Sequence, residues 1–314
     1  MKKFIIKSIL FVCIIVTIIE ICNWGYMRQD PYGTNQYKNM PDKIDVCNFG
    51  SSHSQCAFNY EDVENDIGCV NFGNTSQSHI YDYLILQAYQ DQLADGGVAF
   101  ITVSYHDFLG HDEIDDASFK SKNRRYYIFL PKEYIREYDS KTALGMKFTP
   151  SLFSDSLKQI IIGLLNYHPI ITWEIQTTKE EVSENAQIVA QNHIVNNKFD
   201  ENGNRIYNQQ EIDSLYKIIE LCKSKNVTPV LITSPFTKEY TDAIKSLDLD
   251  YYNEFHEIIE KIQADTQVEY LDFSEDERFC EKYEWFVDSH HLNKFGAREF
   301  TNMLLSKYNY EDGL

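Results

Sequence analysis

Five short apolar runs lie along the chain, and each has the length of a β-strand. The run GVAFITVS is the richest of them in β-branched residues. The runs are nearly continuous rather than alternating, which is typical of strands that are buried on both faces of a parallel sheet. We therefore predict strands at 44–49, 68–72, 97–104, 227–233 and 268–273.

Segments with the spacing of an amphipathic helix separate most of these runs. Ile212, Leu215 and Ile219, for example, fall on one stripe of a helix and would face a core together. The predicted helices are 77–94, 209–225, 251–264 and 294–307. Strands that alternate with helices predict an α/β three-layer sandwich around a central five-strand parallel sheet, with right-handed crossovers.

One stretch, 105–207, breaks the alternation because it is too long for a single crossover between the third and fourth strands. It contains an amphipathic segment, 152–167, which ends before His168-Pro169. We interpret the stretch as an insertion, and two roles stay open for it. It is either a lid or cap over the active edge of the sheet or structural padding.

The N-terminus carries an apolar run, 4–22, preceded by Lys2 and Lys3. Its 19 residues would form a helix of roughly 28 Å, close to the thickness of a hydrocarbon core. Positive charge on the amino side predicts a cytoplasmic N-terminus and an extracytoplasmic domain, so the protein would be a single-pass protein of the cell membrane. A cleaved signal peptide and a buried helix are the alternatives, although no small-x-small cleavage pattern follows the run.

These patterns predict a domain organisation with four boundaries. Residues 1–27 form the transmembrane anchor, 28–42 a polar linker, and 43–314 an α/β domain into which 105–207 is inserted. The linker assignment rests on its content of Asn, Gln, Pro, Gly and Tyr, which favour turns over regular elements.

Charge and cysteine content exclude several classes of function. The chain has 29 basic and 48 acidic residues, a formal charge of −19, so we expect no nucleic-acid partner and no attraction to anionic head groups. Its seven cysteines show no C-x-x-C pairing. We therefore predict no zinc site, no obligatory disulfide framework, and neither a metal nor another cofactor.

The segment 45–54, DVCNFGSSHS, joins the end of the first strand to a glycine turn and three serines. A turn at the carboxyl end of a strand in an α/β sheet is where such folds place nucleophiles and ligands. We predict that Ser52 is a nucleophile, with Ser51 and Ser54 as competitors by proximity. Serines at this position also serve as helix caps or turn residues, which is the structural alternative.

The matching base is predicted near the C-terminus, in Asp288-Ser289-His290-His291. A carboxylate three residues before a histidine can bond its Nδ1, which leaves Nε2 to accept the serine proton. His291 is the predicted base and Asp288 its orienting group. His290 is the alternative base, and Asp272 the alternative orienting group.

Together these motifs resemble the SGNH/GDSL hydrolases, a family with a flavodoxin-like three-layer fold. Gly50-Ser51-Ser52 is similar to the block that carries the family's nucleophile, and Asp288 with His291 is similar to its C-terminal Asp-x-x-His. Gly73, in Asn71-Phe72-Gly73-Asn74-Thr75, is similar to the second-block glycine. The resemblance spans about 44–308, but only these three motifs are specific.

The family's oxyanion hole is only partly reproduced. The resemblance implies N–H donors at Ser52 and Gly73. Ser51 stands where the family has an aspartate, and no Gly-x-Asn-Asp follows the third strand, where the family's asparagine completes the hole. Asn74 and Ser104 are the candidate substitutes for that asparagine.

A Gly-Ser-Ser block behind a membrane anchor resembles one branch in particular. That branch contains the D-alanyl transfer protein of teichoic acid biosynthesis and the alginate-type O-acetylation proteins, which work beside a multi-pass membrane O-acyltransferase. The resemblance implies acyl transfer to a cell-envelope polysaccharide or teichoic acid through a Ser-His-Asp triad. A simple surface esterase or deacetylase, and a non-catalytic polymer-binding or scaffold domain, are the alternatives.

Overall fold

A computed structural model describes residues 1–63, 66–110, 117–153, 157–165 and 175–310. The chain divides into two compact units, which are described separately below. The first unit is Met1–Lys38 with Ile114–Thr172, and the second is Asn39–Glu113 with Trp173–Leu314. The boundaries predicted for the anchor, the linker and the inserted segment stay predictions.

The second unit is built on a five-strand sheet in which every neighbouring pair is parallel. The spatial order of the strands is β2-β1-β3-β4-β5. The strands are β1 (Ile44–Phe49), β2 (Cys69–Asn71), β3 (Leu93–Thr102), β4 (Thr228–Thr233) and β5 (Glu269–Asp272). The predicted α/β fold with a central five-strand parallel sheet is therefore confirmed.

Helices lie between and around these strands. In chain order they are α1 (Lys2–Met27), α2 (Ser52–Ala57), α3 (His79–Tyr89), α4 (Ala117–Asn123), α5 (Tyr126–Phe129), α6 (Ser140–Phe148), α7 (Leu157–Leu165), α8 (Lys179–Ile194), α9 (Gln209–Ser224), α10 (Lys238–Leu247), α11 (Leu249–Thr266) and α12 (Lys294–Lys307). Short 3-10 turns lie at Asn35–Lys38, Lys132–Tyr134, Pro150–Phe153 and Tyr283–Trp285.

Three of the four predicted helices have nearly the predicted bounds, since α9, α11 and α12 differ from them by at most two residues at either end. The fourth was predicted too long. Helix α3 ends at Tyr89, and the backbone N–H of Ile44 donates to the carbonyl of Gln92 at 2.8 Å. Leu93 then pairs with Ile44, so the last residues of the predicted helix belong to β3.

Aromatic and aliphatic side chains cover the sheet on both faces. Phe49 stacks on Phe72 at 5.0 Å between ring centroids, and Phe72 stacks on Tyr89 of α3 at 5.5 Å. On the other face Phe100 packs in one buried cluster with Phe300 of α12. Because successive residues of a strand point to opposite faces, this arrangement gives the predicted three layers.

The order of the strands places a crevice between β1 and β3. The chain leaves β1 for the edge strand β2 on one side and leaves β3 for β4 on the other, so the connections diverge at this point. Ligands of open α/β sheets bind at such switch points, beyond the carboxyl ends of the strands. Gly50 and Ser104 follow the ends of these two strands.

The first unit contains the long N-terminal helix. Among the described residues, α1 is the helix long and apolar enough to cross a membrane, and none of its most apolar window is buried. Asn23, near its end, donates to the carbonyl of Phe148 at 2.8 Å and accepts from the Ser151 hydroxyl at 2.7 Å. An exposed apolar helix of this length fits a single-pass membrane anchor.

The predicted amphipathic segment 152–167 falls in the first unit and is only partly described. Its described part consists of the end of a 3-10 turn and α7. Positions 154–156 and 166–167 lie outside the described residues.

Candidate active site

The turn at Gly50 requires a glycine. Its φ is +132°, and a Cβ added there would lie 2.9 Å from the carbonyl oxygen of Thr102 and 3.0 Å from the Cβ of Ser54. Only glycine adopts this conformation readily, and only a hydrogen fits against β3 at this point. The turn therefore brings the start of α2 close to the end of the neighbouring strand.

The three serines that follow the turn have different surroundings. Ser54 is fully buried, and its hydroxyl accepts from Asn48 Nδ2 at 2.9 Å. Ser51 is 3 % exposed, and its hydroxyl has no hydrogen-bond partner among the described residues. Ser52 is half-buried, and its Oγ lies 2.9 Å from His291 Nε2. The structure thus brings Ser52, rather than its two competitors, together with the predicted base.

Asp288 completes the arrangement from the C-terminal loop. Its Oδ2 lies 2.9 Å from His291 Nδ1, and its Oδ1 accepts from the backbone N–H groups of His290 and His291 at 2.9 Å each. One carboxylate therefore holds both the ring and the backbone of the loop. With Nδ1 bound to the carboxylate, Nε2 is directed at the hydroxyl, as in a Ser-His-Asp triad.

The carboxylate is held in its ionised form. Burial alone would raise the pKa of the Asp288 carboxyl. The hydrogen bond from His291 and the charges of His291 and His290 outweigh burial and hold that pKa well below its ordinary value. An ionised Asp288 can stabilise an imidazolium that forms when His291 accepts a proton.

The two alternative groups have other partners. His290 Nδ1 lies 3.1 Å from the Ser289 hydroxyl, and its ring stacks on Tyr240 at 5.3 Å. Asp272 Oδ2 lies 3.2 Å from His256 Nε2. Their geometry therefore favours His291 and Asp288 over the alternatives, although the assignment of all these site residues stays a prediction.

Asn293 fixes the loop that carries the base. Its side-chain oxygen accepts from the N–H groups of Phe295 and Gly296 and so caps α12, while its Nδ2 donates to the carbonyl of Glu284 at 2.8 Å. An N-cap of this kind satisfies backbone donors at the helix start that would otherwise lack partners. The predicted helix start is the place where the loop is fastened.

The predicted oxyanion donors lie beside the nucleophile turn but already have partners. The backbone N–H of Gly73 donates to Asn71 Oδ1 at 3.0 Å, and that of Asn74 donates to the carbonyl of Gly50 at 3.1 Å. A Cβ added to Gly73 would lie 2.6 Å from the backbone nitrogen of Gln55, so this segment packs directly on α2. The role of Gly73 and Asn74 as oxyanion donors stays a prediction.

Ser104, the other candidate substitute for the missing asparagine, is fully buried. Its Oγ lies 2.7 Å from His53 Nδ1. The hydroxyl is therefore engaged with the residue that follows the nucleophile.

The sequence analysis missed a buried polar network behind the turn. His79 Nδ1 lies 2.9 Å from Asp82 Oδ2, and its Nε2 lies 3.3 Å from Asp107 Oδ2. Burial alone would lower the pKa of His79, but the contacts with Asp107 and Asp82 raise it well above its ordinary value. The spacing His-x-x-Asp in the first turn of α3, which places both side chains on one helix face, is the signal that could have found it.

Comparisons with known proteins give one family. The model of the DltD family, described as DltD protein, matches residues 179–297. The matched range includes Asp288 and His291 but not Ser52. No curated protein matches the chain.

Two solved structures are similar to the chain at low sequence identity. One, from Streptococcus pneumonia and described as a candidate platelet activating factor, is 12% identical, covers 94% of this chain and 98% of its own, and has a TM-score of 0.40. The other, a candidate GDSL-like lipase from Parabacteroides merdae, is 12% identical, covers 87% and 100%, and has a TM-score of 0.37.

Proposed function

The chain resembles the SGNH superfamily near the DltD proteins, and from this premise we propose that it is a membrane-anchored, extracytoplasmic acyltransferase or esterase with Ser52 as its nucleophile. The substrate we propose is an acyl group of teichoic acid or another cell-envelope polysaccharide. The observation that carries the proposal is the 2.9 Å distance between Ser52 Oγ and His291 Nε2, which joins residues 239 positions apart.

The proposed reaction has two steps. In the first, Ser52 Oγ attacks the carbonyl carbon of an ester or thioester, and His291 Nε2 takes the hydroxyl proton. The alcohol or thiol leaves with that proton, and an acyl-serine remains. In the second step, an acceptor hydroxyl gives its proton to His291 and attacks the acyl-serine, which regenerates the Ser52 hydroxyl.

The acceptor decides whether the reaction is transfer or hydrolysis. A sugar or polyol hydroxyl gives an acylated polymer, whereas water gives a free acid. Asp288 serves both steps, because it holds the His291 tautomer and stabilises the imidazolium. The chemistry requires neither a redox cofactor nor an activated nucleotide at this site.

We assign the developing oxyanion to the backbone N–H of Ser52 and, as a second donor, to that of Gly73. Gly73 would have to share its hydrogen with Asn71 Oδ1 or release that bond when the substrate arrives. Loss of one such donor typically costs about two to three orders of magnitude in turnover. A site that assembles its second donor only with substrate would be a slow hydrolase in the absence of its acceptor.

The anchor supports a substrate at the membrane surface. Lys2, Lys3 and Lys7 lie on the amino side of α1, so the N-terminus would be cytoplasmic and the α/β unit extracytoplasmic. There the enzyme would meet a growing envelope polymer. A multi-pass membrane O-acyltransferase is the partner we propose as the source of the acyl group.

The test uses the full-length protein in detergent micelles and a fluorophosphonate probe, which labels only an activated serine. We expect labelling of the wild type, none of Ser52→Ala, and retained labelling of the control Ser224→Ala, whose serine lies at the end of α9. Incubation with an acyl ester, with and without teichoic acid, then separates acyl transfer from hydrolysis. A folded wild-type protein that is never labelled would favour the polymer-binding alternative.

A further inference from the structure

Three histidines from distant parts of the chain meet next to the nucleophile. His53 lies on α2, His106 follows β3, and His193 lies near the end of α8. One ring nitrogen of each lies within 4.8 Å of one ring nitrogen of each of the others. All three belong to the second compact unit.

Two of these rings are oriented by hydroxyl groups. His53 Nδ1 lies 2.7 Å from the Ser104 hydroxyl, and His193 Nδ1 lies 2.6 Å from the Tyr240 hydroxyl. Each bond occupies one nitrogen and leaves Nε2 available. Histidines that bind metals are commonly held through the other ring nitrogen in this way.

The third ring is oriented by a carboxylate. His106 Nε2 lies 3.3 Å from Asp107 Oδ1, which leaves His106 Nδ1 available. His106 Nδ1 and His53 Nε2 are buried atoms that have no hydrogen-bond partner among the described residues. An unpartnered buried nitrogen is costly, and two in one cluster indicate a ligand that both nitrogens could bind.

The protonation of the cluster also suits a metal. Burial lowers the pKa of His53 and of His193 well below the ordinary value, and the neighbouring histidines lower both further. Burial likewise lowers the pKa of His106, although Asp107 acts in the opposite direction. The three imidazoles are therefore neutral at neutral pH, which is the form that binds metal ions.

We propose that His53, His106 and His193 bind a borderline divalent cation, zinc by the chemistry of the ligands. Three imidazoles without a carboxylate exclude calcium and magnesium, which prefer oxygen ligands. Three histidines also match zinc sites that keep a fourth position open for water or substrate. Tetrahedral ligands at about 2.0–2.1 Å lie roughly 3.4 Å apart, so small movements of the three rings close the site.

A second combination, His53 with His290 and His291, also falls within 4.8 Å. It is less suitable, because both nitrogens of His291 are engaged, one with Ser52 and the other with Asp288. A metal there would dismantle the triad. The first combination leaves the triad intact.

The proposed site would join three elements. It would connect α2, which carries Ser52, to the segment after β3 and to α8 in the long connection between β3 and β4. The absence of cysteine pairs, from which the sequence predicted no zinc site, does not bear on a cluster made only of histidines. The inference rests on the cluster alone and does not require the proposed acyl chemistry.

The test measures metal directly on the full-length protein in detergent, purified without a polyhistidine tag. The protein is stripped with a chelator, dialysed against Zn²⁺ or Co²⁺, and analysed by plasma mass spectrometry. We expect about one zinc per chain, a rise in Tm on reloading, and visible d–d absorption of low-coordinate Co²⁺. His106→Ala and the size-conserving His193→Gln should lose all three signals.

The matched control is His256→Ala, which removes a histidine of α11 that contacts Asp272 outside the cluster. It should bind metal as the wild type does, and so should Ser52→Ala, which separates this inference from the proposed nucleophile. Far-UV circular dichroism identifies variants that fail to fold. Equal metal binding by the wild type and by folded His106→Ala and His193→Gln would overturn the proposal, as would a wild type that binds none.

Discussion

Gly50 donates its backbone N–H to Asp82 Oδ1 at 3.1 Å, so a buried carboxylate of α3 holds the turn that precedes the nucleophile. The same carboxylate accepts from Gln77 Nε2 at 2.7 Å and lies 2.9 Å from His79 Nδ1. Its side chain is fully buried, so each of these bonds acts in a medium of low dielectric. The position of the candidate nucleophile therefore depends on a residue that no part of the triad touches.

Asp82→Asn tests this dependence. The amide keeps the shape and can still accept from Gly50, but it removes the negative charge beside His79. We expect a loss of about 1–3 kcal/mol in the free energy of unfolding, because a buried imidazolium loses one of its two carboxylates. Denaturant unfolding in detergent measures this loss, and fluorophosphonate labelling should become slower.

Asp213→Asn is the control for that change, since this exposed residue of α9 accepts only a hydrogen bond from Gln209 among the bonds described. It should leave both measurements unchanged. Equal unfolding free energies for Asp82→Asn and Asp213→Asn would show that the buried carboxylate does not hold the turn.

Gly50→Ala should impair both folding and labelling. The added Cβ meets the carbonyl of Thr102 at 2.9 Å, and the φ of +132° is unfavourable for alanine. We expect about 2–4 kcal/mol of destabilisation from strain and overpacking, together with a displaced Ser52. Thermal unfolding and the rate of fluorophosphonate labelling report the two effects separately.

Gly203→Ala is a matched control, because Gly203 has φ +81° and a Cβ there meets nothing within 4 Å. It carries backbone strain without a clash. We expect a smaller loss of stability, about 1 kcal/mol, and normal labelling. If both variants label at the wild-type rate, close packing at the turn does not position the nucleophile.

The sequence was sufficient to pair distant residues where local rules and sheet topology agree. The strand before Gly50 and the start of α12 after Asn293 carry strong local signals, namely a buried run with a glycine turn and an N-cap before an apolar stripe. Because parallel strands present their carboxyl ends at one edge, Ser52 could be matched with His291. The structure brings these two side chains within hydrogen-bonding distance.

Other features could not be read in advance. Helix α8 was not predicted because its buried stripe, Val182, Ala186, Ala190 and Ile194, is mostly small and lies among polar residues. Its capping box of Thr178 and Glu181 was a usable signal that the sequence analysis overlooked. The histidine cluster has no sequence signal of its own, because its members have no common spacing and meet only through tertiary packing.

Asp288→Asn should remove most of the activity while leaving the fold in place. The amide can keep its bonds to the loop backbone, but it can donate to His291 Nδ1 and so favour the wrong tautomer. We expect turnover of an acyl ester to fall by about three to four orders of magnitude. The side chain is 43% exposed, so we expect little change in Tm.

Asp272→Asn is the control, since that carboxylate contacts His256 rather than His291. It should retain wild-type turnover. A folded Asp288→Asn variant with more than about a tenth of wild-type turnover would be incompatible with an orienting role.

Glu211 gives a prediction about pH. It is 7% exposed and accepts the backbone N–H of His79 at 2.6 Å. Burial, more than the nearby charges, raises the pKa of Glu211 to about 7 from an ordinary value of 4.5. The folded protein therefore binds a proton that the unfolded chain releases, so stability from this group is fully present below pH 4.5 and is lost as the pH rises towards 7.

Glu211→Gln should remove this pH dependence, because the amide oxygen still accepts from His79 but cannot ionise. At pH 8 the variant should be more stable than the wild type by about 1–3 kcal/mol, and at pH 4.5 the two should be alike. Denaturant unfolding at both pH values measures the difference. Glu220→Gln, on an exposed position of the same helix, should change neither value. A Glu211→Gln variant that is less stable than the wild type at pH 8 would mean that the ionised carboxylate is favourable where it lies.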